Sequence, residues 1–359
     1  MKVNVKNLKG TIKNAITTKT SIMLAGKPGI GKTEVFLQTI KEFEKETNKK
    51  CNIKIIYLHS TLLEQLTGVP TPNGTWSKPE ILNLPEGYDY YIFLFDDIHL
   101  ADKNKQGILF QILTHHYVNG HKFPENSIFV LAGNGVEDNA GANIMLAPVV
   151  NRLLKFNVEA DYDSWKNYLK STNIEKKIAD IVTSFLEYET NNKYFHYYND
   201  TMENEPFPSP RSWTNMMNFI TPSLDEMLDN RELFLETTSA AIGKEAATKL
   251  LEYVIVFNRF KSIDDLLAVN VKKLTSIEYY IYTISSAKFF VENINKKELT
   301  EKLFNLITKL DPTYIVLFLK KVIDATINKD RHLTTVKSLI EKLPENLKEK
   351  ISEIFDLIK

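Results

Sequence analysis

Residues Gly26-Lys27-Pro28-Gly29-Ile30-Gly31-Lys32-Thr33 satisfy the pattern G-x-x-x-x-G-K-[ST] in full. Three glycines in so short a span stand out in a chain of 359 residues that holds only 13. A loop that wraps a phosphate has to turn backbone N–H groups inward, and glycine both permits the angles and lets the chain come close. A helix opening at Lys32 adds its dipole and its unsatisfied N–H groups. In that setting Lys32 neutralises the β- and γ-phosphates of a nucleoside triphosphate, and the Thr33 hydroxyl ligates Mg²⁺. The expected nucleotide contacts run from Gly26 through Thr33 and on to Glu34. The competing interpretation is a glycine-rich strand-to-helix turn with a chance lysine. The strand-like run before it and the helical pattern after it argue for the phosphate loop.

Further candidates follow other strand-like runs. The stretch YIFLFDDIHL places Asp96 and Asp97 directly after an apolar run. A carboxylate at the carboxyl end of a buried parallel strand reaches the same crevice as the phosphate loop. Asp96 is expected to hold the Mg²⁺ water shell, and Asp97 to polarise the attacking water as general base. Acids that merely end a strand and cap the next helix are the alternative. In SIFVLAGNG another buried run is followed by Asn134, whose amide orients the water or touches the γ-phosphate; Asn-Gly is equally a plain turn signal. Arg152, in APVVNRLLKF, is either a finger that completes a neighbouring subunit's site or half of a surface salt bridge. Arg211, in FPSPRSW, either reaches back to the γ-phosphate or belongs to helix-start chemistry after Pro210.

These residues need a scaffold. Ser21 to Ala25, Ile53 to Leu58, Tyr91 to Phe95, Ser127 to Ala132 and Leu153 to Val158 are short β-branched or aromatic runs, several apolar at consecutive positions. Helical patterns lie between them at Lys32 to Lys45 and Lys103 to Tyr117. The alternation predicts an α/β core with a parallel sheet covered by helices. Beyond residue 160 the strand signal fades. Ile178, Ile181, Val182, Phe185 and Leu186 recur at helical spacing, and a polar stretch from Asn191 to Pro210 precedes a helix at Arg211. Glu301 to Leu310 and Val336 to Leu343 read as amphipathic helices. The expected domains are a nucleotide-binding core over 1–160, a helical lid over 161–259 and a helical extension over 260–359.

Composition sets bounds. Lysine plus arginine and aspartate plus glutamate number 45 each, so there is no global field to steer nucleic acid or an acidic membrane. A single cysteine, Cys51, forms no intramolecular disulfide and suits a reducing compartment. No apolar run approaches membrane-spanning length and no leader sequence is read, which leaves the cytoplasm as the expected location. His115, His116 and His121 are close in sequence, but the first two would face apart on a helix, which argues against a metal site. The aromatic stretch EYYIYTISSAKFF (278–290) reads as core before it reads as a base-stacking platform, and the Lys-Lys pairs as solvated faces. The flank of Trp76 is either a surface hairpin for a partner or a loop packed on its own body.

Taken in order, these stretches resemble the AAA+ ATPase superfamily, and within it the MoxR-like, dynein-related branch. GKPGIGKT resembles its Walker A motif and LFDD its Walker B, with Asn134 at the sensor 1 place, Arg152 at the arginine finger and Arg211 at sensor 2. EQLTGVPTPNGTWSKPEIL (64–82) and SAAIGKEAATKLLEY (239–253) resemble two more segments of that branch, and the likeness covers about residues 10–256. Two departures stand out. Asp97 occupies a place usually held by glutamate, which withdraws the carboxylate by roughly 1.5 Å; Gly135 follows sensor 1 where proline is often seen. Arg231 and Arg259 are other finger candidates. The resemblance implies a P-loop NTPase core with a five-stranded parallel sheet, an all-α lid and nucleotide between them. It implies ATP and Mg²⁺ as ligands and assembly into a ring, commonly a hexamer. It also implies chaperone-like remodelling of a protein partner, in this branch often one with a von Willebrand factor A domain. A nucleotide-gated scaffold with little hydrolysis and a nucleic-acid-directed ATPase are the alternatives.

Overall fold

Strands covered on both faces carry apolar residues at consecutive positions, and their odd and even members divide between two layers of helices. The computed structural model describes residues 2–134, 145–189, 194–197 and 205–326, together with Ser338, Glu341, Leu343 and Lys348. Its strands are β1 (Lys2–Asn4), β2 (Ile22–Ala25), β3 (Cys51–Tyr57), β4 (Tyr90–Asp96), β5 (Tyr117–Val118), β6 (His121–Lys122), β7 (Ser127–Gly133) and β8 (Leu154–Glu159). β5 and β6 form a small antiparallel hairpin. The other six make one parallel sheet in the order β1-β8-β2-β7-β4-β3.

The alternation is literal in the two central strands. Ile92, Leu94, Ile128 and Val130 face the layer made by α1 (Val5–Thr18) and α2 (Lys32–Thr47), against Leu8, Ile12, Phe36 and Ile40. Their neighbours Phe93, Phe95, Phe129 and Leu131 turn the other way. There they meet Leu66 of α3 (Leu63–Thr67) and Leu109 and Ile112 of α4 (Lys103–His115). Every residue of β7 is buried, which is why its sequence shows no polar alternation. Lys9 and Glu42 pair at 2.6 Å, and Lys13 and Glu46 at 2.7 Å, tying the outer sides of α1 and α2.

The sheet has six strands where the sequence leads one to expect five. The additional one, β1, is three residues long and pairs with β8 at the edge. So short a segment carries almost no periodicity, and its only fixed point is the neighbour it pairs with.

The chain forms two compact units, one of Met1–Glu175, Asn191–Pro222 and Thr237–Gly243, the other of Lys176–Thr190, Ser223–Glu236 and Lys244–Lys359. The first holds the sheet, the short helices α5 (Ala147–Val150) and α6 (Tyr162–Leu169), and the helix Pro210–Ile220 that carries Arg211. In the second, the described residues are helical, with an interior of large rings. Phe185 meets Tyr253, Tyr188 meets Tyr280, and Phe290 meets Phe318, with centroids 5.1 to 5.6 Å apart. Tyr280, Tyr282 and Phe290 of the helix Ser276–Glu292 are buried, so that aromatic stretch is core. Gly135 and most of the stretch Val336–Leu343 lie outside the described residues, as does much of the polar segment Asn191 to Pro210. No helix among the described residues is long and apolar enough to cross a membrane.

Candidate functional site

The parallel sheet delivers the ends of β2, β7, β4 and β3 to one edge in that spatial order. β2 runs into the phosphate loop, and Gly31, at φ 90°, caps the start of α2 at Lys32. The Gly26 N–H donates to the Gly133 carbonyl at 3.1 Å, and a Cβ on Gly26 would stand 2.5 Å from the Val158 carbonyl oxygen. Only a residue without a side chain passes there. Gly29 sits at φ 77°, where a Cβ would meet Ser209 Oγ at 2.6 Å. The loop is gripped from outside as well: the Arg211 N–H donates to the Gly29 carbonyl at 3.1 Å, and His196 Nε2 lies 3.1 Å from the Pro28 carbonyl oxygen. Ile30 is buried beneath the loop. Lys32 Nζ donates to the carbonyls of Gly26 (2.6 Å) and Lys27 (3.0 Å), and to Asn134 Oδ1 at 3.4 Å.

Thr33 Oγ1 donates to Asp96 Oδ2 at 2.8 Å, and the Asp97 N–H donates to Asp96 Oδ1 at 2.9 Å. A hydroxyl and a carboxylate in contact at the foot of a phosphate loop are hard oxygen donors of the kind Mg²⁺ takes, so these residues fit the ion. Asp97 is in the left-handed region at φ 53°, a conformation an aspartate tolerates better than most residues. Its half-exposed carboxylate stands 4.0 Å from His59 Nδ1. His99, two residues on, is 7% exposed and contacts Asn134 through both ring nitrogens. Burial holds its pKa below the ordinary imidazole value, against an opposing pull from Asp97.

A cleft of about 860 Å³ opens beside the loop, lined by Gly29, Gly31, Thr33, Glu34 and Arg211. Its far wall includes Asn4, Asp161, Trp165 and Tyr168. Trp165 is fixed by its indole N–H, which donates to the Pro210 carbonyl at 3.1 Å. Burial, and then the nearby Glu34 charge, raises the Tyr168 pKa. The size is that of pockets that enclose small organic ligands.

The fold therefore brings Gly26 through Glu34, Asp96, Asp97, Asn134 and Arg211 to one region of the first unit. Arg152 lies elsewhere: its guanidinium stacks 4.2 Å from the Phe110 ring centre and donates to the Pro148 carbonyl at 2.8 Å. Of the other two candidate arginines, Arg259 pairs with Glu278 and Arg231 lines a small cavity in the second unit. His59, His99 and the far wall of the cleft did not stand out in the sequence. The only signal was positional, because polar residues just past the ends of adjacent parallel strands converge. Trp76 belongs to a turn closed by pairing with Pro70, and its carbonyl oxygen lies 3.0 Å from His121 Nε2. His116 sets its ring edge-on to Phe129. Among the described residues no group of three or more His, Cys, Asp or Glu side chains could hold a metal ion by itself.

No protein-family model and no curated protein matches the chain. Among solved structures it is similar to a mutant RuvB from Thermotoga maritima, at 16% identity and a TM-score of 0.38, over 81% of this chain and 75% of that one. It is also similar to AMPPCP-bound DnaA from Aquifex aeolicus, at 16% identity and a TM-score of 0.38, over 93% of each chain. A third is a DNA polymerase III gamma subunit-related protein from Thermotoga maritima, at 14% identity and a TM-score of 0.29, over 96% of this chain and 97% of that one.

Proposed function

We propose that the chain is a Mg-ATP-binding ATPase of the AAA+ type, acting in a ring to remodel a protein partner. The observation that carries this reading is the Thr33 hydroxyl donating to Asp96 at 2.8 Å beside a complete phosphate loop. Two residues far apart in sequence meet in the one arrangement that both motifs require. Lys32 and the loop amides bind the phosphate tail, and Thr33 and Asp96 are the residues for the metal. Mg²⁺, when bound, neutralises charge on the phosphate oxygens. Asn134 orients the terminal phosphate, and Asp97 accepts a proton from the attacking water. Arg211, whose backbone already holds Gly29, is placed to sense the occupant of the loop. Arg152, exposed and with its guanidinium over Phe110, is assigned to the site of a neighbouring copy.

The MoxR-like branch, a hexameric ring and a partner with a von Willebrand factor A domain are the finer parts of the proposal, supported by motif order alone. The helices beyond residue 260 are the part of the chain assigned to partner contact. A second reading, a nucleotide-gated scaffold with little hydrolysis, is favoured by one observation: the Asp97 carboxylate is half exposed and stands 4.0 Å from His59, beyond hydrogen-bond reach. Fluorescence anisotropy with a labelled ATP analogue, run beside steady-state phosphate release, tests both. The ATPase reading expects saturable Mg-dependent binding and release above that of Asp97→Asn. Binding without release leaves the scaffold; absence of binding ends both.

A further inference from the structure

We propose that His99 is a positioning residue of this site: its imidazole turns the Asn134 carboxamide so that the NH₂ group, and not the oxygen, faces Lys32 and the phosphate tail. The identity of what that NH₂ meets rests on the nucleotide reading above.

The argument is one of donors and acceptors. His99 lies in the tight turn Ile98–Leu100 and is buried. The backbone N–H of Asn134 reaches its Nδ1 at 3.2 Å. A backbone amide can only donate, so Nδ1 presents its lone pair, and a neutral ring then carries its proton on Nε2. Nε2 lies 3.3 Å from the carboxamide end of Asn134, its hydrogen-bonding neighbour among the described residues. A buried N–H needs an acceptor, and the carboxamide has a single one, its oxygen. The two ends of an amide are nearly the same size, so a half turn of the group exchanges them and moves little else.

With the oxygen committed to His99, the NH₂ faces the side where Lys32 Nζ stands. Lys32 then gives up the contact at 3.4 Å and keeps the Gly26 and Lys27 carbonyls at 2.6 and 3.0 Å. The ammonium and the amide NH₂ become two donors side by side, poorly matched to each other and well matched to an anionic oxygen between them. Gly133 makes room for this: a Cβ there would lie 2.7 Å from Ile98 Cγ2 and 3.3 Å from His99 Nδ1. Closing β7 with glycine lets the imidazole pack against the strand end that carries Asn134.

The test uses the full chain. Long-range ¹H–¹⁵N NMR on histidine-labelled protein, with the His99 signals assigned by their loss in His99→Gln, is expected to show the Nε2-protonated tautomer; the Nδ1-protonated form overturns the proposal. Glutamine can place a donor near the Nε2 position and asparagine only near Nδ1. His99→Asn and His99→Leu are therefore expected to lower kcat for phosphate release by about 10- to 100-fold with KM within about twofold, and His99→Gln to recover most of it. Asn134→Asp keeps the acceptor for His99 but turns an oxygen towards the phosphates, and is expected to lose at least as much as Asn134→Ala. Equal loss in His99→Gln and His99→Asn, or wild-type kcat in all three, overturns the positioning role. A wild-type chain that fails to bind the ATP analogue overturns the nucleotide reading, and that failure is separate from the tautomer result.

Discussion

The phosphate-loop side of the site and the Asp97 side are built differently. On the loop side three groups are already engaged: the Thr33 hydroxyl with Asp96 at 2.8 Å, the Lys32 ammonium with the Gly26 carbonyl at 2.6 Å, and the Arg211 backbone N–H with the Gly29 carbonyl at 3.1 Å. Across the sheet edge, Asp97 stands in a left-handed turn, half exposed, 4.0 Å from His59. Groups that are held before a ligand arrives lose little freedom when it binds, whereas a half-exposed carboxylate must be placed at the moment of reaction. The difference separates grip from chemistry. On the proposed reading the slack falls on the Asp97 side, where an aspartate stands in place of the longer glutamate.

Removing the centre of the grip gives the largest expected effect. Lys32→Ala deletes an ammonium that would make two or more charge-assisted contacts to phosphate, and should weaken ATP-analogue binding by about 1,000-fold, ~4 kcal/mol, in an anisotropy titration. Undiminished affinity would erase the distinction between the two halves, because the loop would then grip nothing. On the other side, Asp97→Asn should leave affinity within about twofold while phosphate release falls by about 100-fold, the lower end of what a general base contributes. Asp97→Glu restores the reach, and its release should exceed wild type by several-fold. If all three release phosphate equally, Asp97 is not the base, and the contrast in contact lengths says nothing about chemistry.

How much of this was legible follows the same division. The loop is contiguous: its glycines, lysine and threonine announce themselves, and the buried run that ends in Asp96 needs no partner to be seen. The helix start at Arg211, the alternative to a nucleotide role there, was legible from Ser-Pro-Arg, and the structure shows a cap at Ser209 followed by Pro210 at the first helical position. The Asp97 side was written in pairing instead. Tyr57 of β3 is in register with Asp96 of β4, so His59, two residues beyond, comes to lie beside Asp97. Nothing near His59 in sequence carries that information. His99 was hidden for a similar reason: the left-handed turn at Asp97 and the tight turn after it fold the ring back towards the end of β7. β1 was too short for a periodic signal and depends wholly on β8. The wall of the cleft at Asn4, Asp161 and Tyr168 likewise joins segments that no local pattern connects.

A smaller change sharpens the grip side. Gly29→Ala puts a side chain at φ 77° and within 2.6 Å of Ser209 Oγ. The strain is on the order of 1–2 kcal/mol, and the Ser209 hydroxyl must also move. ATP-analogue affinity should drop about tenfold, with kcat at saturation nearly unchanged. A fall in kcat with intact affinity would show that the loop shapes the reaction as well as the hold, and would blur the comparison.

The smallest expected effect concerns pH and the buried ring on the Asp97 side. Burial lowers the His99 pKa in the folded chain; Asp97 and Asp96 pull it upward, and Lys32 and His59 push it further down. The unfolded chain, with an ordinary imidazole near 6.5, therefore binds a proton more readily than the folded one. The stability that His99 contributes is intact above about pH 6.5 and drains away as the pH falls through the folded value. Urea unfolding across pH 5 to 8 should show wild type losing stability on the acid side more steeply than His99→Gln, which has no titrating group there. Matching slopes would mean that the ring takes up its proton in place. A doubly protonated ring has no lone pair for the Asn134 N–H, so matching slopes would mean that this contact contributes little and that the Asp97 side is held as loosely as its long contacts imply.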